Sequence, residues 1–106
     1  MILFTGFFTM IPKDYSIFLE SLKNNAPEAS WPEALRALWW DANKDWRRAH
    51  ELVDGSNAKG ADQIHAYLHR KEGDQWNAGY WYRRAGKPFP KVSLDEEFRQ
   101  LVEALL

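Results

Sequence analysis

Apolar residues recur along most of this chain with the spacing of helices rather than the alternation of strands. Tyr15, Phe18, Leu19 and Leu22 stand at i, i+3, i+4 and i+7, which places them on one face of a helix over residues 13–24. Similar stripes recur further along, and no segment alternates apolar and polar residues as a half-buried strand does. The spacing predicts an all-α fold of about six helices.

Residues that start and stop helices separate these apolar stripes. Ser30 and Ser93 are each followed three residues later by a glutamate, which is the spacing of a capping box. Aspartate is a good N-cap, and Asp45 and Asp74 each precede a helical stripe. Glycine or proline follows several of the stripes and ends them. The predicted helices cover 13–24, 31–42, 46–53, 61–72, 75–85 and 94–106.

Two helical hairpins in the middle of the chain align at an offset of 29 residues. The aligned positions are Asp45 with Asp74, Trp46 approximately with Trp76, Ala49 with Ala78, and Leu52-Val53 with Trp81-Tyr82. A small alanine one turn into the second helix of a hairpin lets the two helix axes approach closely. This pattern predicts two stacked hairpins, each burying its face on its neighbour, with terminal helices as caps.

The second hairpin carries the pattern Gly73-Asp74-x-x-Asn77-Ala78-x-x-Trp81-Tyr82-x-x-Ala85. It resembles tetratricopeptide and Sel1-like repeats, over about residues 32–86, and that resemblance implies binding of protein partners. The longer run from His65 to Gly86 resembles a signature of small, uncharacterised bacterial helical proteins. This second resemblance implies no particular activity.

Composition narrows the classes of function. The 106 residues are enough for one ordinary domain. With 14 basic and 15 acidic residues the formal charge is −1, so we expect no nucleic-acid partner, because such partners require an excess of Lys and Arg. The absence of cysteine excludes disulfides, thiolate nucleophiles and thiolate metal ligands, and is consistent with the cytoplasm, where we expect the protein. The high aromatic share of 15% predicts a core filled with rings, with a ring-lined groove as the alternative.

The first eleven residues form a largely apolar run. They are too few to span a bilayer, and they lack the basic start and the cleavage site of a signal peptide, so we expect no membrane partner. We interpret 1–11 either as a tail that packs on the core or as residues preceding a translation start at Met10. The domain proper is expected to be a single helical unit over residues 12–106.

Several polar residues of the two hairpins are not explained by packing. On the fourth predicted helix His65, His69 and Glu72 share a flank beside the core side, at i, i+4 and i+7. Other polar or aromatic residues lie on the flanks of the third and fifth predicted helices: His50, Asn77, Trp81 and Arg84. Together these seven residues form the predicted ligand-binding cleft. It offers an acid–base pair, an amide, an aromatic platform and a cation, which suit a small polar or anionic ligand such as a sugar or phosphate.

His65 and His69 on successive turns also have the spacing of two ligands for one metal ion. Glu72 could complete such a site, with Asp74 or His50 as a further ligand. The full metalloprotease motif is absent, because no glutamate follows the first histidine. The alternative is a buried polar network in which half-buried histidines hydrogen-bond across the hairpin and determine how the repeats pack.

The leading interpretation is a small non-enzymatic binding or scaffold module that needs no cofactor. Its partner would be an unidentified protein segment or a small polar ligand. The alternative is an enzyme or a metal-dependent small-ligand binder that uses the histidine cleft. The chain contains no glycine-rich phosphate loop and no serine nucleophile elbow.

Overall fold

In the computed structural model, which describes residues 11–106, the chain is helical and these residues contain no strand. The six α-helices are α1 (Tyr15–Glu20), α2 (Glu33–Ala42), α3 (Trp46–Val53), α4 (Ala61–Lys71), α5 (Gln75–Ala85) and α6 (Leu94–Glu103). A short 3₁₀ helix, Ser21–Lys23, extends α1. The predicted all-α fold of about six helices is confirmed. The predictions for the apolar tail over 1–11 fall, apart from Ile11, outside the described residues.

Two helical hairpins form the middle of the fold. Helix α2 packs on α3, and α4 packs on α5, while α3 and α4 bring the two hairpins together. Helix α6 lies against α1, α2 and α4. None of the helices within residues 11–106 combines the length and the apolar character that crossing a bilayer requires.

The turns of the two hairpins are built in the same way. In the first, the Lys44 and Asp45 amides donate to the carbonyls of Asp41 and Trp40, at 2.9 Å each. The same bonds recur 29 residues later, where the amides of residues 73 and 74 donate to the carbonyls of residues 70 and 69. Both turns need a left-handed residue, which is Lys44 in one (φ 67°) and Gly73 in the other (φ 90°). Glycine adopts this conformation at no steric cost, so the second turn is the less strained of the two.

Three of the four predicted N-caps are confirmed. The side chains of Asp45, Asp74 and Ser93 each accept a hydrogen bond from the backbone N–H three residues ahead. The prediction for Ser30 is wrong. Pro32 takes the N-cap position of α2 without a side-chain bond. Glu33, the expected partner of Ser30, instead accepts a hydrogen bond from Ser56 Oγ at 2.7 Å and so holds the loop before α4.

The cap of α3 positions the helix that carries His50. Replacing Asp45 with alanine is expected to lower the free energy of unfolding by about 1 kcal/mol, because the Arg48 N–H loses its acceptor. Asp45→Asn is the matched control, since asparagine caps as well as aspartate does. Urea-induced unfolding measures both variants. Equal losses in the two variants would show that the cap does not stabilise α3.

The core is assembled from α1, α2, α3, α4 and α6 around large side chains. Its larger members are Phe18, Trp31, Leu35, Leu38, Trp39, Ile64, Tyr67, Leu68, Phe98, Leu101 and Val102. Many of these positions follow from the predicted stripes. Leu19 does not, because it is 42% exposed on a helix of only six residues that buries Phe18 alone. The proposed match of Trp46 with Trp76 is also wrong, because Trp46 packs against the core whereas Trp76 is 76% exposed.

Two ion pairs with buried carboxylates join elements that are distant in sequence. Asp41 on α2 receives the Lys71 ammonium at 3.1 Å from each carboxylate oxygen. On α6, Glu97 receives Arg70 Nη1 from α4 at 2.7 Å and the Tyr82 hydroxyl from α5 at 2.5 Å. Burial, together with the Glu97 carboxylate, raises the pKa of Tyr82, so its hydroxyl remains a donor. These pairs fix α6 and α2 to the second hairpin.

Candidate functional site

Three histidines converge between the two hairpins. His50 lies on α3, and His65 and His69 lie on successive turns of α4. One ring nitrogen of each histidine lies within 4.8 Å of one from each of the others. His50 Nε2 and His65 Nε2 are 3.0 Å apart, which is a hydrogen bond with one ring as donor. We call these three residues the histidine cluster.

Two tryptophans enclose the histidine cluster. The Trp46 ring is stacked on His50, with centroids 4.9 Å apart and an interplanar angle of 10°. The Trp81 ring is stacked on His65 at 3.9 Å and 16°. Trp46 is held in place because its Nε1–H donates to the Leu68 carbonyl at 2.9 Å. The histidine cluster and the two tryptophans therefore form a layered arrangement of five rings supplied by α3, α4 and α5.

Small buried residues explain how three helices approach closely enough to build this arrangement. Ala49 on α3, Ala66 on α4 and Ala78 on α5 are all fully buried. Side chains of this size keep helix axes near the lower end of the normal packing distance. Trp46 with His50, and His65 with His69, are i, i+4 pairs, so each pair projects from one helix face. The local sequence thus places each pair, and the packing of α3 on α4 joins them.

The environment of His65 keeps its ring neutral. The residue is only 2% exposed. Burial, together with the neighbouring His50 and His69 rings, lowers the pKa of His65 to about 4. Its Nδ1 is buried without a hydrogen-bond partner among the described residues. A buried polar atom without a hydrogen bond destabilises the folded state by about 1–3 kcal/mol.

Glu72 completes one side of the histidine cluster. Its Oε2 lies 2.7 Å from His69 Nδ1. The His69 side chain is 12% exposed, so the pair stands where the cluster reaches the surface. When Nδ1–H donates to the carboxylate, the lone pair of the neutral ring is on Nε2. Glu72 therefore determines which nitrogen of His69 is available to accept a proton or bind a cation.

Two of the predicted cleft residues serve other contacts. The Asn77 side chain donates to Asp74 Oδ2 at 2.7 Å, and its backbone N–H donates to Oδ1 at 3.1 Å. These two bonds lower the pKa of Asp74. Arg84 lies on the far side of the cluster, 5.1 Å over the Trp81 ring and 3.8 Å from Asp62. Of the seven predicted residues, the structure brings together His50, His65, His69, Glu72 and Trp81.

The structure contains part of the alternative predicted from the sequence, a buried polar network of histidines. The histidines do hydrogen-bond, but the bond joins His50 of one hairpin to His65 of the other rather than crossing a single hairpin. The sequence interpretation assigned Trp46 only to an apolar stripe and missed its place against His50. The available signal was the i, i+4 spacing of Trp46 and His50, which matches that of His65 and His69.

An open groove begins beside Arg84. It has a volume of about 480 Å³ and lies between the loop before α4 and the ends of α5 and α6. Its apolar lining includes Ile64, Leu101 and Leu105, and its cations are Lys59, Arg84 and Lys87. We call it the cationic groove. Nothing in the helical periodicity indicated it, because its residues come from three separate segments.

Comparison of the chain with protein-family models, with curated proteins and with solved structures gives no match. The resemblances to tetratricopeptide and Sel1-like repeats and to small bacterial helical proteins therefore stay predictions.

Proposed function

We propose that the protein is a small non-enzymatic binding module that engages an acidic segment of a partner protein. The observation that supports this most directly is the cationic groove. Three cations, Lys59, Arg84 and Lys87, stand against the single carboxylate Asp62. A segment carrying both apolar and acidic side chains would place the former on the apolar lining and the latter near the cations. We expect no nucleic-acid partner, because the chain as a whole is near neutral.

The scaffold of this module is proposed to be two tetratricopeptide-like units, with α1 and α6 as caps. The supporting observation is the recurrence of the turn hydrogen bonds at an offset of 29 residues, together with N-caps at Asp45 and Asp74. Rigid helices would hold the groove open and reduce the entropy lost on binding. We propose the cytoplasm as its location, consistent with a chain that contains no cysteine.

A pair of peptides of opposite charge tests the proposed function. We expect a short fluorescein-labelled peptide of alternating glutamate and leucine to bind, and a lysine–leucine peptide of the same length not to bind. Fluorescence anisotropy gives the dissociation constants. Added salt should weaken the complex, because the charges at the groove are exposed to solvent. Equal affinity for the two peptides would contradict the proposal.

Matched variants show whether the cationic groove is the binding surface. Replacing Arg84 and Lys87 with glutamine should weaken binding of the acidic peptide about tenfold, since rim charges contribute modestly one by one. Asp62→Asn should strengthen it, because the only acidic residue of the groove is removed. Arg47→Gln is the control, since Arg47 is exposed on α3 and outside the groove. A loss in the control as large as that in the double variant would contradict this assignment.

A second function, a metal-dependent small-ligand binder or an enzyme, is favoured by a different observation. Three imidazoles lie close together between the hairpins. The metal-dependent binder requires that the histidine cluster hold a metal ion, whereas an enzyme would use the histidines themselves as acid and base.

A further inference from the structure

We propose that His50, His65 and His69 form a binding site for a divalent transition-metal ion of the zinc type. Imidazole nitrogen is a preferred ligand of zinc, and it also suits copper and nickel. The three side chains come from α3 and α4, so the site would tie the two hairpins together. The site does not involve the cationic groove, and the two proposals can fail separately.

The distances between the nitrogens fit one ion. Two nitrogens bound to a tetrahedral zinc at about 2.0–2.1 Å stand about 3.3 Å apart. His50 Nε2 and His65 Nε2 are already 3.0 Å apart. No pair in the histidine cluster exceeds 4.8 Å, so rotation of side chains is enough to close the remaining gap.

Glu72 provides the hydrogen-bond acceptor that normally orients a metal-binding histidine. Histidines that bind metals usually donate their other N–H to a carboxylate, a carbonyl or a water, which orients the ring. His69 Nδ1 and Glu72 Oε2 are 2.7 Å apart in this arrangement. Glu72 is thus a positioning residue, and the Nε2 of His69 is the nitrogen for the ion.

The histidine cluster is also not a fully satisfied packing network, although its unpartnered atom, His65 Nδ1, is not the nitrogen that faces His50. His65 is buried, yet its Nδ1 has no partner among the described residues. Buried polar networks that serve packing are normally satisfied throughout. The histidine cluster is not satisfied throughout, so packing alone does not account for all of its nitrogens.

A neighbouring group of ligands is the weaker candidate. His69, Glu72 and Asp74 also have one ligand atom each within 4.8 Å of the others. However, both Asp74 oxygens accept hydrogen bonds from Asn77, and Glu72 holds His69 Nδ1. A metal there would displace these contacts, whereas the histidine cluster gives up only the His50–His65 bond.

Titration with zinc chloride tests the proposal directly. Tag-free protein, stripped with EDTA and dialysed, is expected to bind one equivalent of zinc by isothermal titration calorimetry. His50→Ala is expected to weaken zinc binding at least tenfold. Glu72→Gln should weaken it about 10–100-fold, as loss of an outer carboxylate typically does. Glu51→Gln is the matched control, because Glu51 is an exposed acid on α3 outside the cluster, and it should bind zinc as the unmodified protein does.

Circular dichroism of each variant without metal establishes that it is folded. Should His50→Ala unfold, Glu72→Gln keeps the test decisive, because Glu72 is on the surface. A visible absorption spectrum of tetrahedral type on addition of cobalt would support the site. Absence of saturable zinc binding would overturn the proposal. So would weakening by Asp74→Asn with no effect of His50→Ala, since the ion would then sit in the neighbouring group.

Discussion

Replacing Glu97 with alanine is expected to lower the free energy of unfolding by about 3–5 kcal/mol, which is a large part of the stability of a domain this size. The Glu97 side chain is only 3% exposed and accepts from both Arg70 and Tyr82. Its loss leaves a largely buried guanidinium and a buried hydroxyl without their acceptor. The same change removes the side-chain hydrogen bonds that join α6 to α4 and α5 through Glu97. Urea-induced unfolding measures the loss.

Two further variants identify the cause of that loss. Glu96→Ala removes an exposed carboxylate from the same turn of α6 and should change the free energy of unfolding by no more than about 0.5 kcal/mol. Tyr82→Phe removes only one of the two bonds to Glu97, so it should cost about 1–2 kcal/mol. A loss below about 1 kcal/mol for Glu97→Ala would show that the ion pair does not hold α6.

The stability of the metal-free protein is expected to fall as the pH is lowered from about 6.5 to about 4. In the unfolded chain His65 takes up a proton near its ordinary pKa of 6.5, whereas in the fold its pKa is about 4. Between these values the unfolded state binds more protons, so acid favours unfolding. The difference corresponds to about 3 kcal/mol, and it vanishes above pH 6.5, where both states are neutral.

Several groups around His65 set the size of this effect. Burial is the largest cause of the low pKa of His65; His50 on α3, His69 on α4 and Arg84 on α5 lower the pKa further, while Asp54 after α3 raises it. The measurement is urea-induced unfolding in EDTA between pH 4 and pH 7.5, compared with His65→Gln. The variant should lose the part of the pH dependence that lies between pH 4 and 6.5. An identical pH profile in the two proteins would contradict the assignment to His65.

Local signals predicted most of the fold. The caps at Asp45, Asp74 and Ser93 could be identified because a capping side chain bonds its own first turn, a few residues away. The one wrong cap, at Ser30, lies before Pro32, and its expected partner Glu33 bonds Ser56. That bond depends on how the loop before α4 folds back on α2. A sequence motif of four residues cannot contain this information.

In the candidate site too, the positions that share one helix could be predicted, and the contacts between helices could not. The proximity of His65 and His69 followed from their spacing on one helix, and Glu72 followed in the same way. Whether His50 joined them depended on how α3 packs on α4. Asn77 and Arg84 were also predicted to line the cleft, and in the structure their side chains contact Asp74 and Asp62 respectively. A helical wheel gives the direction of a side chain but not the partner it meets there.

By itself, the sequence determined that this chain is helical, where most of its helices begin and end, and which faces are apolar. These properties depend on contacts within a few residues, so the order of residues specifies them. Only the tertiary structure decided that Trp46 stacks on His50, that Glu97 joins Arg70 and Tyr82, and that three separate segments enclose a cationic groove. Those contacts join residues far apart along the chain. They depend on the rotation and spacing of whole helices, which are set by the combined packing of the core.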